Sequence, residues 1–130
     1  MRWHAVRQPR DLCERTFLFA CDIVTLCRHL SREPGVSRQI AGQLLRAGTS
    51  VGGNTEEAKG AYTRHEFAFK NSIVLREARE SRFWLRLVEA QKLAPKEMIS
   101  PLLCEVNELV GIFTATVRRA RAPLKVKTEK

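Results

Sequence analysis

Arg76, Arg79, Arg82 and Arg86 are the residues in this chain best suited to holding a charged ligand. On a helix they fall within one sector of about 120° at 100° per residue. A guanidinium is planar and donates two parallel hydrogen bonds, so an arginine cluster suits phosphate better than a lysine cluster does. The same residues would do nothing more than solvate a face if they paired locally, Arg82 with Glu89 or Arg79 with Glu80. The carboxylates Glu56, Glu57, Glu77 and Glu80 raise a second possibility, a di-metal site inside a helix bundle. Such sites need Glu-x-x-His on two helices, and neither Glu77-Ala78-Arg79-Glu80 nor Thr55-Glu56-Glu57-Ala58 supplies the histidine. Glu77 and Glu80 lie inside a broad apolar arc, where a carboxylate must be paired. The expectation is a structural polar network with Arg46, Arg79 or Asn54 as partners, and no metal.

The run Gly48-Thr49-Ser50-Val51-Gly52-Gly53-Asn54-Thr55 has glycines at P-loop spacing. Asn54 stands where the phosphate-binding lysine would be, and the flanks are helical in period, whereas a P-loop follows a strand. Two interior glycines four residues apart, Gly48 and Gly52, instead suggest close approach of a neighbouring helix. Each costs about 1 kcal/mol relative to alanine and so needs a compensating contact. His4, His29 and His65 form no pattern with Ser, Cys or Asp that a triad would need, and no link is long enough to build a cleft. No catalytic residue, cofactor or enzymatic activity is expected. Cys13, Cys21, Cys27 and Cys104 lack C-x-x-C spacing, and the first three share one broad helical face, which reads as small buried apolar residues. The longest apolar run near the N-terminus is the five residues Phe17–Cys21. That is short of the about 7–15 of a signal core or the about 18 of a membrane span. A reduced, cytoplasmic protein with no membrane partner is the expectation.

The 130 residues carry a formal net charge of +9. Arg2, Arg7 and Arg10 give residues 1–10 a charge of +3. Arg118, Arg119, Arg121, Lys125, Lys127 and Lys130 against Glu129 give residues 118–130 a charge of +5, leaving +1 for everything between. A nearly neutral body with two basic ends suits phosphate or an acidic protein, or serves solubility alone.

Four helical patterns must position these groups. The first, from about residue 11 to 31, has Leu12, Thr16, Phe19, Ile23, Leu26 and Leu30 in a heptad-like seam, ended by Glu33-Pro34-Gly35. The second spans about residues 37–61, with Val36, Ile40, Leu44, Ala47, Val51 and Ala58 as its apolar positions. The third opens on a capping box, Thr63-Arg64-His65-Glu66, and runs to about Lys92. Its apolar arc covers nearly half the circumference, wider than one core needs, and predicts a second packed surface. The fourth has Leu103, Val106, Val110, Phe113, Val117 and Ala120 in alternating steps of three and four, with Ser100 as N-cap and Pro101 at N1. A separate short turn is expected at 95–99. Short links between four such helices predict an all-α, up-down-up-down antiparallel four-helix bundle over residues 11–121. A basic arm (1–10) precedes it and a basic tail (122–130) follows.

Two blocks carry a family resemblance. Leu45-Arg46-Ala47-Gly48-Thr49-Ser50-Val51-Gly52-Gly53-Asn54-Thr55-Glu56-Glu57-Ala58 resembles the pattern R-x-x-x-S-[IV]-x-x-N-x-x-E-A. Ser72-Ile73-Val74-Leu75-Arg76-Glu77-Ala78-Arg79-Glu80-Ser81-Arg82-Phe83-Trp84-Leu85 is similar to S-I-x-L-x-E-A-R-E-[ST]-x-[FY]-W-L. Both patterns belong to the four-helix bundle proteins encoded by intervening sequences in bacterial 23S ribosomal RNA genes. The accessory variability protein of diversity-generating retroelements is a relative. The resemblance implies a bundle assembling as a ring-shaped homopentamer without enzymatic activity. In the retroelement branch it implies a basic surface for nucleic acid and for a reverse transcriptase. Carried residue by residue, it marks Arg46, Ser50, Asn54, Glu57, Glu77, Arg79 and Glu80, whose helical placement suits packing and assembly. Gly53 stands where the family often has alanine.

Taken together, the expected function is non-enzymatic binding of RNA or DNA by an oligomeric bundle. Phosphate contacts would come from Arg76, Arg79, Arg82, Arg86, Arg118, Arg119, Arg121, Lys125 and Lys127. The alternative is a protein–protein scaffold or adaptor. A shift assay comparing the full chain with a version ending at Ala120 would separate the two.

Overall fold

The computed structural model describes residues 11–123. Within them lie four α-helices: α1 Leu12–Leu30, α2 Val36–Lys59, α3 Arg64–Ala90 and α4 Lys96–Arg121. Each packs on the next, and α4 returns to α1 through a thinner contact, closing an up-down-up-down bundle. Residues 1–10 and 124–130, including Lys125 and Lys127, lie outside the described residues.

The expected seam of α1 faces inward, with Thr16, Phe19, Ile23, Leu26 and Leu30 all buried. Opposite it stand Leu44 and Val51 of α2, Val74, Ala78 and Leu85 of α3, and Val106, Leu109 and Phe113 of α4. Fully burying one such side chain stabilises by about 1.5–3 kcal/mol, and these rows carry the fold. The thin α1–α4 seam is reinforced by charge. Arg15 donates from Nε to Glu105 Oε2 (2.7 Å) and from Nη2 to Glu105 Oε1 (2.9 Å) and Glu108 Oε1 (2.6 Å). The Arg15 and Glu105 side chains are 10% and 13% exposed. Hydrogen bonding to Glu105, opposed by desolvation and aided by Glu108, raises the guanidinium pKa above its ordinary value.

The small residues of α2 behave as expected where α1 crosses it. A Cβ on Gly48 would stand 2.8 Å from both γ carbons of Ile23, and one on Gly52 would stand 3.3 Å from the Thr16 carbonyl oxygen. Gly53 has nothing within 4 Å of that position.

Three expectations need correction. The fourth helix starts at Lys96, with Pro95 as N-cap, so Pro101 lies inside it and Ser100 caps nothing. Continuing the helix through the proline buries Ile99 and Leu102 (each 1% exposed), which offsets the hydrogen bond lost at the carbonyl of Glu97, an exposed residue. Val36 is 70% exposed, because α2 begins there on a Gly35 held at φ 90°, and the first buried position is Ser37, whose hydroxyl donates to the Leu30 carbonyl. Cys21 is exposed: it lies about 180° around α1 from the centre of the core seam at 100° per residue, whereas Cys27 lies only about 60° away.

That difference sets thiol chemistry. Cys27 is buried and its Sγ donates to the Ala41 carbonyl at 3.3 Å, and desolvation pushes its pKa from 9.0 to about 12. A thiol whose folded pKa is raised contributes stability that is intact below about pH 9 and lost as pH climbs towards 12. Ellman's reagent at neutral pH is expected to label Cys21 and Cys104 rapidly and Cys27 only on unfolding. Equal rates for all the thiols would contradict the packing described.

Candidate nucleic-acid interface

The first polar cluster bridges α2 and α3. Arg46 donates to Glu77 (3.4 Å) and makes a short bond to Glu80, which also accepts from Trp84 Nε1 at 3.0 Å. Glu77 and Glu80 are 13% and 33% exposed, and Arg46 stands half exposed above them. One arginine thus bridges two carboxylates one helical turn apart. Its other expected members stand elsewhere. Asn54 donates to the Ser50 carbonyl within α2 (2.9 Å), and Glu57 pairs with Lys70 (2.7 Å). Arg79 does not join the network.

The four arginines of α3 separate. Arg76, Arg79 and Arg86 are exposed and have neither hydrogen bonds nor ion pairs among the described residues. Arg82 turns towards α4, where its Nη1 donates to Asn107 Oδ1 at 3.3 Å. From Phe69 to Arg86 is about 26 Å along the axis at 1.5 Å per residue. The exposed three therefore form a sparse stripe with Phe69 and Phe83, each 54% exposed, rather than a pocket. Phe83 packs edge-on against Trp84, with centroids 5.0 Å apart. Of the wide apolar arc, Trp84 and Leu87 pack against the core, while Phe69 stays exposed.

A denser cationic cluster sits at one end of the bundle. Up-down-up-down topology returns the start of α1 and the end of α4 to the same place: Asp11, Leu12, Arg119 and Ala120 line one cavity of about 570 Å³. Lys59 from the end of α2 and Arg64 from the start of α3 line it too. Arg64 Nη2 donates to the carbonyls of Arg119 (3.0 Å) and Ala122 (2.6 Å), tying α3 to the last turn of α4. Arg118, Arg119 and Arg121 are all exposed in that turn. Acids share this pole: Glu14 stands exposed in the first turn of α1 and Glu56 beside Cys13 in the last turns of α2, while others are engaged locally. Asp11 caps α1 through the Cys13 N–H, Glu66 accepts from Tyr62 N–H as Thr63 caps α3, and Glu57 holds Lys70. The expected arginines of α4 are thus joined by Lys59 and Arg64, which linear reading missed. Their signal was only topological, since each is the last or first residue of a helix ending at the same pole.

The family model described as 23S rRNA-intervening sequence protein matches residues 10–115. Among solved structures, the chain is similar to a protein of unknown function from the S23 ribosomal protein family of Bacteroides thetaiotaomicron. That match has a TM-score of 0.75 and 29% identity, and covers 83% of this chain and 99% of the other. Among curated proteins nothing matches.

Proposed function

We propose, from the premise that this chain belongs to the 23S rRNA-intervening sequence protein family, that it binds RNA or DNA without catalysis, through the basic end of its bundle. The observation carrying this reading is the convergence of charge. The chain enters the described structure at Asp11 and leaves it at Pro123, at the same pole as Lys59, Arg64, Arg118, Arg119 and Arg121. The segments attached there carry Arg2, Arg7, Arg10, Lys125, Lys127 and Lys130. Cations gathered on one surface bind a polyanion by releasing its counterions, which needs no reacting group and reads little sequence. Arg76, Arg79 and Arg86 extend the surface along α3.

Self-association belongs to the same reading. Phe17 and Phe83 stand more than half exposed, at 58% and 54%. Apolar faces of this kind suit other copies of the chain, and a homopentamer would bring five basic poles together. A reverse transcriptase is a partner to test by co-purification. The adaptor reading draws on the same exposed rings and predicts no affinity for nucleic acid.

The truncation that tests this should end at Pro123. Ending at Ala120 would also remove the Ala122 carbonyl that accepts from Arg64. Loss of Lys125, Lys127 and Lys130 with Glu129 removes a net charge of +2. The plot of log affinity against log salt is expected to flatten by about 1.4–1.8, at about 0.7–0.9 per phosphate contact. No mobility shift by either version at low salt would favour the adaptor.

A further inference from the structure

We propose, resting on the nucleic-acid reading above, that the basic pole takes unpaired nucleotides, with Tyr62, Phe67 and Phe69 as stacking platforms set among its cations. Tyr62 is 96% exposed, Phe67 38% and Phe69 54%. Tyr62 adds almost nothing to the core, and three partly or fully exposed rings fall within eight residues around Arg64. They are presented on a fixed frame. The Tyr62 N–H is held by the Glu66 carboxylate at 2.9 Å, and the other two rings belong to the first turns of α3. Arg64 is fixed by the Arg119 and Ala122 carbonyls, so its guanidinium plane cannot swing away.

Cavities of about 570 Å³ lie on either side of Arg64. One carries Phe67 and Asn71, the other His65 and Phe69. Asn71, 3% exposed on the wall of the first, donates its amide N–H to the Phe67 carbonyl (2.9 Å). A duplex hides the faces of its bases, so exposed rings offer it nothing beyond what cations alone would. An unpaired strand presents those faces, and each base that stacks on an aromatic ring adds to the phosphate contacts without demanding a particular sequence. Rings and arginines interleaved at one pole, beside cavities with largely apolar walls, suit that ligand better than a helix of either nucleic acid.

The test uses the full chain and fluorescence anisotropy, with an oligouridine of about 12 nucleotides, within the site sizes such surfaces cover. An RNA duplex of the same length at the same salt is the comparison. The single strand is expected to bind tighter than the duplex. The double variant Tyr62→Ala/Phe69→Ala is expected to lose roughly tenfold single-strand affinity for each ring that stacks, while its duplex affinity and salt slope stay unchanged. Both rings project into solvent, so helicity by circular dichroism should match the parent. Equal affinity for single strand and duplex, or a variant that binds the single strand like the parent, overturns this inference and leaves the broader reading standing. Binding to neither ligand by the parent chain overturns both. A variant that changes only the sedimentation of the protein assigns the rings to contacts between copies and likewise overturns it.

Discussion

Arg15→Met is expected to destabilise the bundle by about 3 kcal/mol, seen as a lower midpoint in urea unfolding with little change in slope. The guanidinium is 10% exposed and forks onto a Glu105 carboxylate that is 13% exposed. Removing it strands a nearly buried charge, and that, more than the lost attraction, sets the size of the effect. Glu108 contributes less because it is 56% exposed and water screens it. The double variant Arg15→Met/Glu105→Leu should recover most of the loss, since two apolar side chains meeting on the α1–α4 seam leave nothing unpaired. A loss below about 1 kcal/mol for the single variant would show that the seam does not depend on this pair.

Substitutions five residues apart on α2 are expected to move stability in opposite directions. Gly48→Ala places a methyl 2.8 Å from both γ carbons of Ile23, a β-branched side chain with no exposure and no free rotamer to retreat into. Overpacking of this kind costs about 1–3 kcal/mol. Alanine's better helix propensity returns about 1 kcal/mol. A net loss near 2 kcal/mol follows, about the upper end of overpacking less the propensity gain. Gly53→Ala meets nothing within 4 Å, so the propensity term stands alone and stability should rise by about 0.5–1 kcal/mol. Thermal or urea unfolding of the two variants side by side decides it. The same sign for both would mean that α1 and α2 are not in contact at Gly48. Ile23→Ala in the Gly48→Ala background offers a further check, because the two changes should be strongly coupled.

Much of this was legible along the chain because helices are local objects. The 3.6-residue recurrence of Phe19, Ile23, Leu26 and Leu30 names a buried stripe without reference to its partner, and Thr63 with Glu66 announces where α3 begins. The spacing of Gly48 and Gly52 announced a close crossing, though not with which helix. Errors arose where a tertiary contact outweighed a local preference. Pro101 marked a helix start by its own chemistry, but burial of Ile99 and Leu102 carried α4 a full turn further back. Cys21 and Cys27 stand about 120° apart on α1, and the position of the core seam decides which of them is buried.

For the candidate site the division is sharper. The types and local spacing of Arg46, Glu77, Glu80 and the arginine groups follow from covalent order, as does the excess of positive charge at both ends of the chain. Their grouping does not. Arg82 leaves the other three to meet Asn107, whereas Lys59 and Arg64 join Arg119, 60 and 55 positions away, because antiparallel packing brings helix ends together whatever their separation in the chain. Periodicity measures rotation about one axis. Which helix ends share a pole is set by how four axes pack to bury their stripes, and that is a property of the folded bundle alone.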